Sequence, residues 1–165
     1  MSVIIRPAVA EDQYAIKAIV RAALINPTSL AWPRFLVATW GQDTIGVGQV
    51  KPHGDGSREL ASIAVVPEWQ GQGVGGAIIR GLLARETGPL HLTCVADKEG
   101  YYARFGFRRI PRAEMTPYFR RLDRVARLIG LLLARDMRLI VMRRDASPRS
   151  QESGVRSQEP FRGNL

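Results

Sequence analysis

The chain has 165 residues, the size of one ordinary domain and long enough to bury a real core. Apolar residues make up 45% of it, which excludes a disordered chain, and no run approaches the ~20 consecutive apolar residues of a membrane span. The formal charge is +9, mostly arginine, an excess that concentrates any anionic ligand (nucleic acid, membrane surface or phosphate-bearing cofactor) without choosing among them.

Residues 4–7 read as a short strand stopped by Pro7. Glu11 and Asp12 then lead a helix in which Tyr14, Ile16, Ala18, Ile19, Ala22 and Ala23 recur at helical spacing, with acidic residues suiting its first turn. Asn26-Pro27-Thr28-Ser29 breaks it. Residues 34–40 and 44–50 read as strands of a hairpin through Gly41-Gln42-Asp43, residues 51–56 as a second turn, and 59–66 as a third strand. The middle of the chain is thus an antiparallel meander. A helix over 77–84 follows a glycine-rich turn, residues 90–95 form a strand and 101–105 a short helix, and Phe107 begins the next extended piece. Residues 118–134 give an amphipathic helix with Phe119, Leu122, Val125, Ile129 and Leu132 on one face, and 139–142 the last strand. The result is a mixed sheet flanked by helices, in the α/β (α+β) class. A single domain over 1–145 is expected, and the Ser, Arg, Gln, Glu, Gly and Pro composition of 146–165 predicts a disordered tail.

One cysteine, Cys94, excludes an internal disulfide and a thiolate metal cluster. His53 and His91 are far apart and neither joins a second metal-type ligand, so no metal is expected. Residues 1–7 show no basic segment followed by an apolar one, and a reducing cytoplasm is the expected compartment.

The chemistry concentrates in the stretch from Glu59 to Ala77. A strand runs into a turn holding Gly71, Gly73, Gly75 and Gly76, and a helix then begins. Glycines let the backbone approach a ligand closely, and a helix start offers unpaired N–H groups and the positive end of its dipole. That combination is an anion site suited to a diphosphate, against the plain alternative of a cap with no ligand. Gly71, Gly73 and Gly76 satisfy the G-x-G-x-x-G dinucleotide fingerprint, and Asp97 lies where its acidic partner belongs. That motif wants its first glycine at the very end of the strand in a βαβ unit. Here Pro67-Glu68-Trp69-Gln70 intervene, and no G-K-[ST] follows to make a P-loop.

Gln70-x-x-Gly73-x-Gly75 after Val65-Val66-Pro67-Glu68 resembles the acetyl-CoA-binding motif of the GNAT superfamily of N-acetyltransferases. Tyr101-Tyr102-Ala103-Arg104-Phe105-Gly106-Phe107 matches that family's aromatic helix ending in Gly-Phe, and the likeness spans residues 3–144. The resemblance implies a mostly antiparallel central sheet in the order β-α-β-β-β-α-β-α-β-α-β. It implies acetyl-CoA as co-substrate and direct transfer to a primary amine in a ternary complex. The CoA diphosphate would meet the backbone of Gly71, Gln72, Gly73, Val74, Gly75 and Gly76, with Gln70 entering the turn. The pantetheine arm would pair with the main chain of Ile63, Ala64 and Val65, where a backbone N–H stabilises charge on the thioester oxygen. Family members often carry an asparagine about seven residues before the helix tyrosine; Val95 stands there, and Asp97 is the nearest polar residue.

Two side chains are implied for proton transfer. Tyr102, four residues before Gly106, sits where many members carry the tyrosine that protonates the CoA sulfur; Tyr101 is its substitute if the helix is rotated. Glu59, eleven residues before Gln70, matches the general base of the histone-acetylating branch. A carboxylate is a weak base unless its surroundings tune it, so His53 and a water relay stand beside it, although the turn carrying His53 reads as exposed. Acceptor recognition would fall to 26–32, 51–53 and 114–118, with Leu30 and Trp32 as an apolar wall. The acceptor is a small-molecule or peptide amine. No membrane partner is expected, and nucleic acid is disfavoured. Leu131-Leu132-Leu133 reads as buried or as a homodimer contact. The competing reading is a non-catalytic CoA-binding regulatory or nucleic-acid-associated module, carried by Arg120, Arg121, Arg124 and Arg127 on the long helix.

Overall fold

Strands come first in this chain because β-branched and aromatic residues alternate in short runs bounded by turns. In the computed structural model, which describes residues 2–133 and 139–146, they build one seven-stranded sheet. The elements are β1 (Ile4–Pro7), α1 (Gln13–Ala22), β2 (Phe35–Trp40), β3 (Asp43–Pro52), β4 (Arg58–Val65), α2 (Val74–Ala84), β5 (Leu90–Val95), α3 (Glu99–Ala103), β6 (Arg108–Arg109), α4 (Pro117–Leu133) and β7 (Leu139–Arg144). This is the element order expected. The strands lie in the order β1-β2-β3-β4-β5-β7-β6, with β4 and β5 parallel and every other pair antiparallel. The expected tail beyond Ala146, the end of the predicted helix at Ala134 and the side chains of Leu131-Leu132-Leu133 lie outside the described residues.

The pleat sorts side chains to two faces. Leu36, Ala38, Val50, Leu60, Leu90, Leu92, Ile140 and Met142 meet Val74, Ile78, Ile79 and Leu82 of α2 on one face. Phe35, Val37 and Val47 meet Ile16, Ile19 and Val20 of α1 on the other, and Val141 meets Phe119 of α4 there. Tyr14, expected on the apolar stripe of α1, is 85% exposed. The helix core side is complete without it.

Three local devices fix the frame. Asp12 receives both Arg6 guanidinium nitrogens at 2.7 and 2.9 Å and the Val9 N–H at 2.8 Å, locking the entry of α1 to β1. Gln13 clasps the loop after α1, donating to the Leu30 carbonyl and accepting from the Trp32 N–H. That clasp puts Leu30 and Trp32 against the α1 cluster instead of forming a free apolar wall. Asp55, in the β3–β4 turn, accepts the Tyr118 N–H at 2.8 Å and ties that turn to the first turn of α4. The turn itself is shorter than predicted, because β3 runs on to Pro52 and His53 closes it by donating its N–H to the Ser57 carbonyl.

The apolar face assigned to the long helix is only half borne out. Phe119 is fully buried and packs with Leu122, but Val125, Leu128 and Ile129 are about half exposed. At that level the helix instead buries Asp123, which pairs with Arg127 at 3.1 Å.

Candidate active site

Parallel strands β4 and β5 register at the single pair Glu59↔His91, at the start of both. Beyond it the second half of β4 has no strand partner on that side among the described residues. A groove of about 890 Å³ opens there, floored by Ile63, Ala64 and Val65 and walled by Tyr101, Tyr102 and Phe105 of the α3 region. It runs to the start of α2, where Gln70, Gly71, Gly73, Val74, Gly75 and Gly76 line it.

The turn at that end is built as the sequence suggested. Gly71 and Gly73 take φ of +76° and +84°, a region glycine enters without steric cost, and a Cβ on either would meet nothing within 4 Å. Gly73 is the N-cap of α2, so the helix N–H groups and the positive end of its dipole face the groove. Gln70 donates from Nε2 to the Val65 carbonyl at 2.9 Å and Gln72 to the Glu68 carbonyl at 2.8 Å. Both glutamine side chains therefore close the turn, and only Gln70 also borders the groove. At Gly75 a Cβ would come within 3.2 Å of the Tyr101 hydroxyl, so strand, turn and aromatic helix converge at that point.

Tyr102 rests edge-on against Tyr101 at 5.1 Å. Burial pushes its hydroxyl up to about 12. Cys94, beneath it in the core, is likewise pushed up to about 11 by burial, which keeps the thiol protonated and unreactive at neutral pH.

Sequence reasoning missed the cations. Arg80, Lys98 and Arg104 line the groove beside the glycine turn. Arg80 was legible in principle: it stands four residues after Gly76, one helical turn on, and a Cβ at Gly76 would lie 3.4 Å from its Nη1. Arg104 sits over the Tyr101 ring at 4.7 Å. Asp97 does not line the groove; it is 71% exposed and lies 4.0 Å from Lys98.

Glu59 lies outside the groove lining, at the closed end of the β4–β5 pair, and it is not alone. His53 Nε2 lies 2.9 Å from Glu59 Oε2, with the two side chains only 10% and 13% exposed. The turn expected to expose His53 does not, because Tyr118 stacks on its ring at 3.5 Å and Phe119 meets it edge-on. Lys51 stands opposite Glu59 across the β3–β4 ladder and is itself buried, donating to the Thr28 carbonyl at 3.0 Å. Burial lowers its pKa, while the charge of Glu59 works in the other direction.

Residues 31–109 match the family model for the acetyltransferase (GNAT) domain. That stretch, just under half of the chain, is similar to the GNAT domain. Among solved structures, the GNAT fold of this chain is shared by N-acetylglutamate synthase from Neisseria gonorrhoeae, solved with coenzyme A and N-acetyl-glutamate. The TM-score is 0.70 at 17% identity, over 90% of this chain and 36% of the synthase, so the chain spans about a third of that protein's length. Rv2747 from Mycobacterium tuberculosis, solved with CoA, gives a TM-score of 0.67 at 23% identity over 87% of this chain and 99% of its own. The ribosomal-protein-S18-alanine N-acetyltransferase from Escherichia coli gives 0.61 at 20% identity, over 93% and 99%. No curated protein matches the sequence. At these identities the likeness is one of fold. Among the described residues no helix is long and apolar enough to cross a membrane.

Proposed function

We propose that this chain is a GNAT-type, acetyl-CoA-dependent N-acetyltransferase, its domain spanning 1–145, that passes acetyl directly to a primary amine in a ternary complex. The observation that carries the reading is the groove between diverging β4 and β5, ending at a glycine turn and a helix N-terminus. Its fit to CoA rests on two features. The open glycine backbone leaves room for a diphosphate, and Arg80, Lys98 and Arg104 supply charge for phosphate oxygens. The main chain of Ile63, Ala64 and Val65 is the edge along which a pantetheine arm pairs.

Within that complex the amine nitrogen attacks the thioester carbonyl carbon, the C–S bond breaks, and a thiolate leaves. Tyr102 gives its hydroxyl proton to that sulfur; a hydroxyl pushed up to about 12 is fully protonated at neutral pH and so available as the acid. Glu59 takes the proton from the amine, by itself or through water, with His53 orienting its carboxylate by the 2.9 Å bond. We take an amine of an amino acid or peptide as the acceptor class, a reading supported only by the names of fold relatives such as N-acetylglutamate synthase.

Acceptor-dependent release of CoA, followed with a thiol reagent across amino acids, polyamines and free-N-terminus peptides, tests this reading. Release that falls in both Glu59→Gln and His53→Gln is the expected result. CoA binding without release for any acceptor would remove the transferase reading and favour a binding module.

A further inference from the structure

Where β3 meets β4, two buried polar side chains are bonded to each other across a break in the ladder. Gln49, with no exposed surface, donates from Nε2 to Ser62 Oγ at 3.0 Å, and Ser62 is itself buried. Gln49 registers with Ala61 and Val47 with Ala64, so Ser62 and Ile63 together oppose Gly48. The consequence is visible in the packing. Leu60 belongs to the cluster under α2 and Ala64 to the cluster under α1, although residues four apart on an unbroken strand share a face.

The bulge is held from both sides. Ser62 adopts φ +56°, a conformation serine rarely takes. Gly48 leaves no slack opposite, since a Cβ there would come within 2.6 Å of Ile63 Cδ1 and 2.7 Å of Ile78 Cγ2. Gln49 Oε1 finds no hydrogen-bond partner among the described residues, so the amide is kept in the core at a cost that an apolar residue of the same shape would avoid. A bulge re-aims the strand that carries it and frees main-chain groups from the ladder. The residues that follow, Ile63 to Val65, are the groove floor.

We propose that Gln49 is a positioning residue for acetyl transfer, holding through Ser62 the bulge that aims the main chain of β4 at the acetyl carbonyl. The proposal rests on the reading that acetyl-CoA lies along β4. Gln49 touches no substrate; it fixes the backbone that does.

The test is calorimetric binding of acetyl-CoA and of CoA to the full chain, with the carbonyl-13C resonance of labelled acetyl-CoA as the spectroscopic readout. The two ligands differ only in the acetyl group, so the ratio of their affinities isolates contacts to the thioester. The wild-type chain is expected to bind acetyl-CoA about fivefold more tightly than CoA, the size of one hydrogen bond, and to shift the carbonyl resonance downfield. Gln49→Met keeps the shape without the bond, and Ser62→Gly accepts the positive φ without the hydroxyl. Each is expected to bring the ratio to about 1 and return the resonance toward its free position, with CoA affinity held within about twofold. The double variant should go no further than either single, since the two residues act as one unit. An unchanged ratio in Ser62→Gly overturns the proposal even if Gln49→Met does not fold, and so does parallel weakening of both ligands. Failure of the wild-type chain to bind CoA is a separate result, which overturns the reading of the groove itself.

Discussion

At the scale of single residues, environment separates the candidate acid from the other phenols. Tyr102 is walled by Tyr101 and Phe107 and lies over the core, and burial is the largest cause of the upward push on its hydroxyl. Its removal should therefore act on chemistry and not on binding. Tyr102→Phe is expected to lower the turnover rate about 100-fold, within the span of one general acid, while leaving the affinity for CoA within a few-fold. A steady-state assay paired with a binding measurement separates the two quantities, and a rate unchanged by the substitution would return Tyr102 to a packing role. His91 carries a second prediction. It is buried against Phe119 at 4.8 Å, and burial, then the nearby Arg143 charge, lowers its pKa. As pH falls through the ordinary histidine range near ~6.5, the unfolded chain takes up a proton that the buried ring resists. The unfolded state then binds more protons, so folding stability falls with falling pH. Urea midpoints for wild type are expected to drop between about pH 7 and 5, and His91→Phe to show a smaller drop. An equal drop in both chains would assign the acid sensitivity elsewhere.

At the scale of elements, the glycine turn and the strand before it differ in how much their residues disclose. Four glycines between a strand and a helix are legible as the backbone-lined anion site proposed here, because their chemistry is local. Gly73 shows what the positive φ is for. At +84° with open space around it, an alanine meets no clash, and its cost is the left-handed backbone alone. Gly73→Ala is expected to lose about 1–2 kcal/mol of stability by denaturant titration and to weaken CoA binding by displacing the α2 N–H groups. Full retention of affinity would mean that the diphosphate is held by side chains. The β4 bulge is the opposite case. Ser62 and Ile63 look like ordinary strand residues, and the two-against-one pairing is set against Gly48 and Gln49, which lie on another strand. Helix α4 misled for the same reason. Its 3.6-residue stripe is real, but the sheet reaches only as far as Phe119 and Leu122, leaving Val125 and Ile129 about half exposed. The His53–Glu59 pair was half legible: both residues were singled out, yet nothing local reveals that Tyr118 closes over them.

At the scale of the whole molecule, two electrostatic contributions reach a phosphate-bearing ligand, and ionic strength tells them apart. The net charge of +9 gives a diffuse field that raises the encounter rate of any polyanion, and it fades within the Debye length of about 10 Å at 0.1 M salt. Arg80, Lys98 and Arg104 line the groove beside the glycine turn, and in the proposed complex they would act at contact distance, where screening is weaker and bonds to phosphate oxygens are charge-assisted. If the diffuse field dominated, any equally basic protein would bind CoA comparably, and neutralising three groove cations would matter no more than neutralising three elsewhere. If the groove dominates, the location of the charges decides. The comparison is therefore between Arg80→Ala with Arg104→Ala and a control carrying Arg121→Ala with Arg124→Ala, on the solvent side of α4 and far along the chain from the turn. Both lower the net charge equally. The groove pair is expected to weaken CoA binding about 100-fold at moderate salt, two charge-assisted hydrogen bonds at the lower end of their range, and the control less than about twofold. Titrations at low and high salt complete the argument: the control should share the wild-type salt dependence, and the groove pair should show a shallower one. Equal losses in the two variants would mean that this chain attracts CoA as a cation attracts a polyanion, with the groove contributing shape and backbone alone.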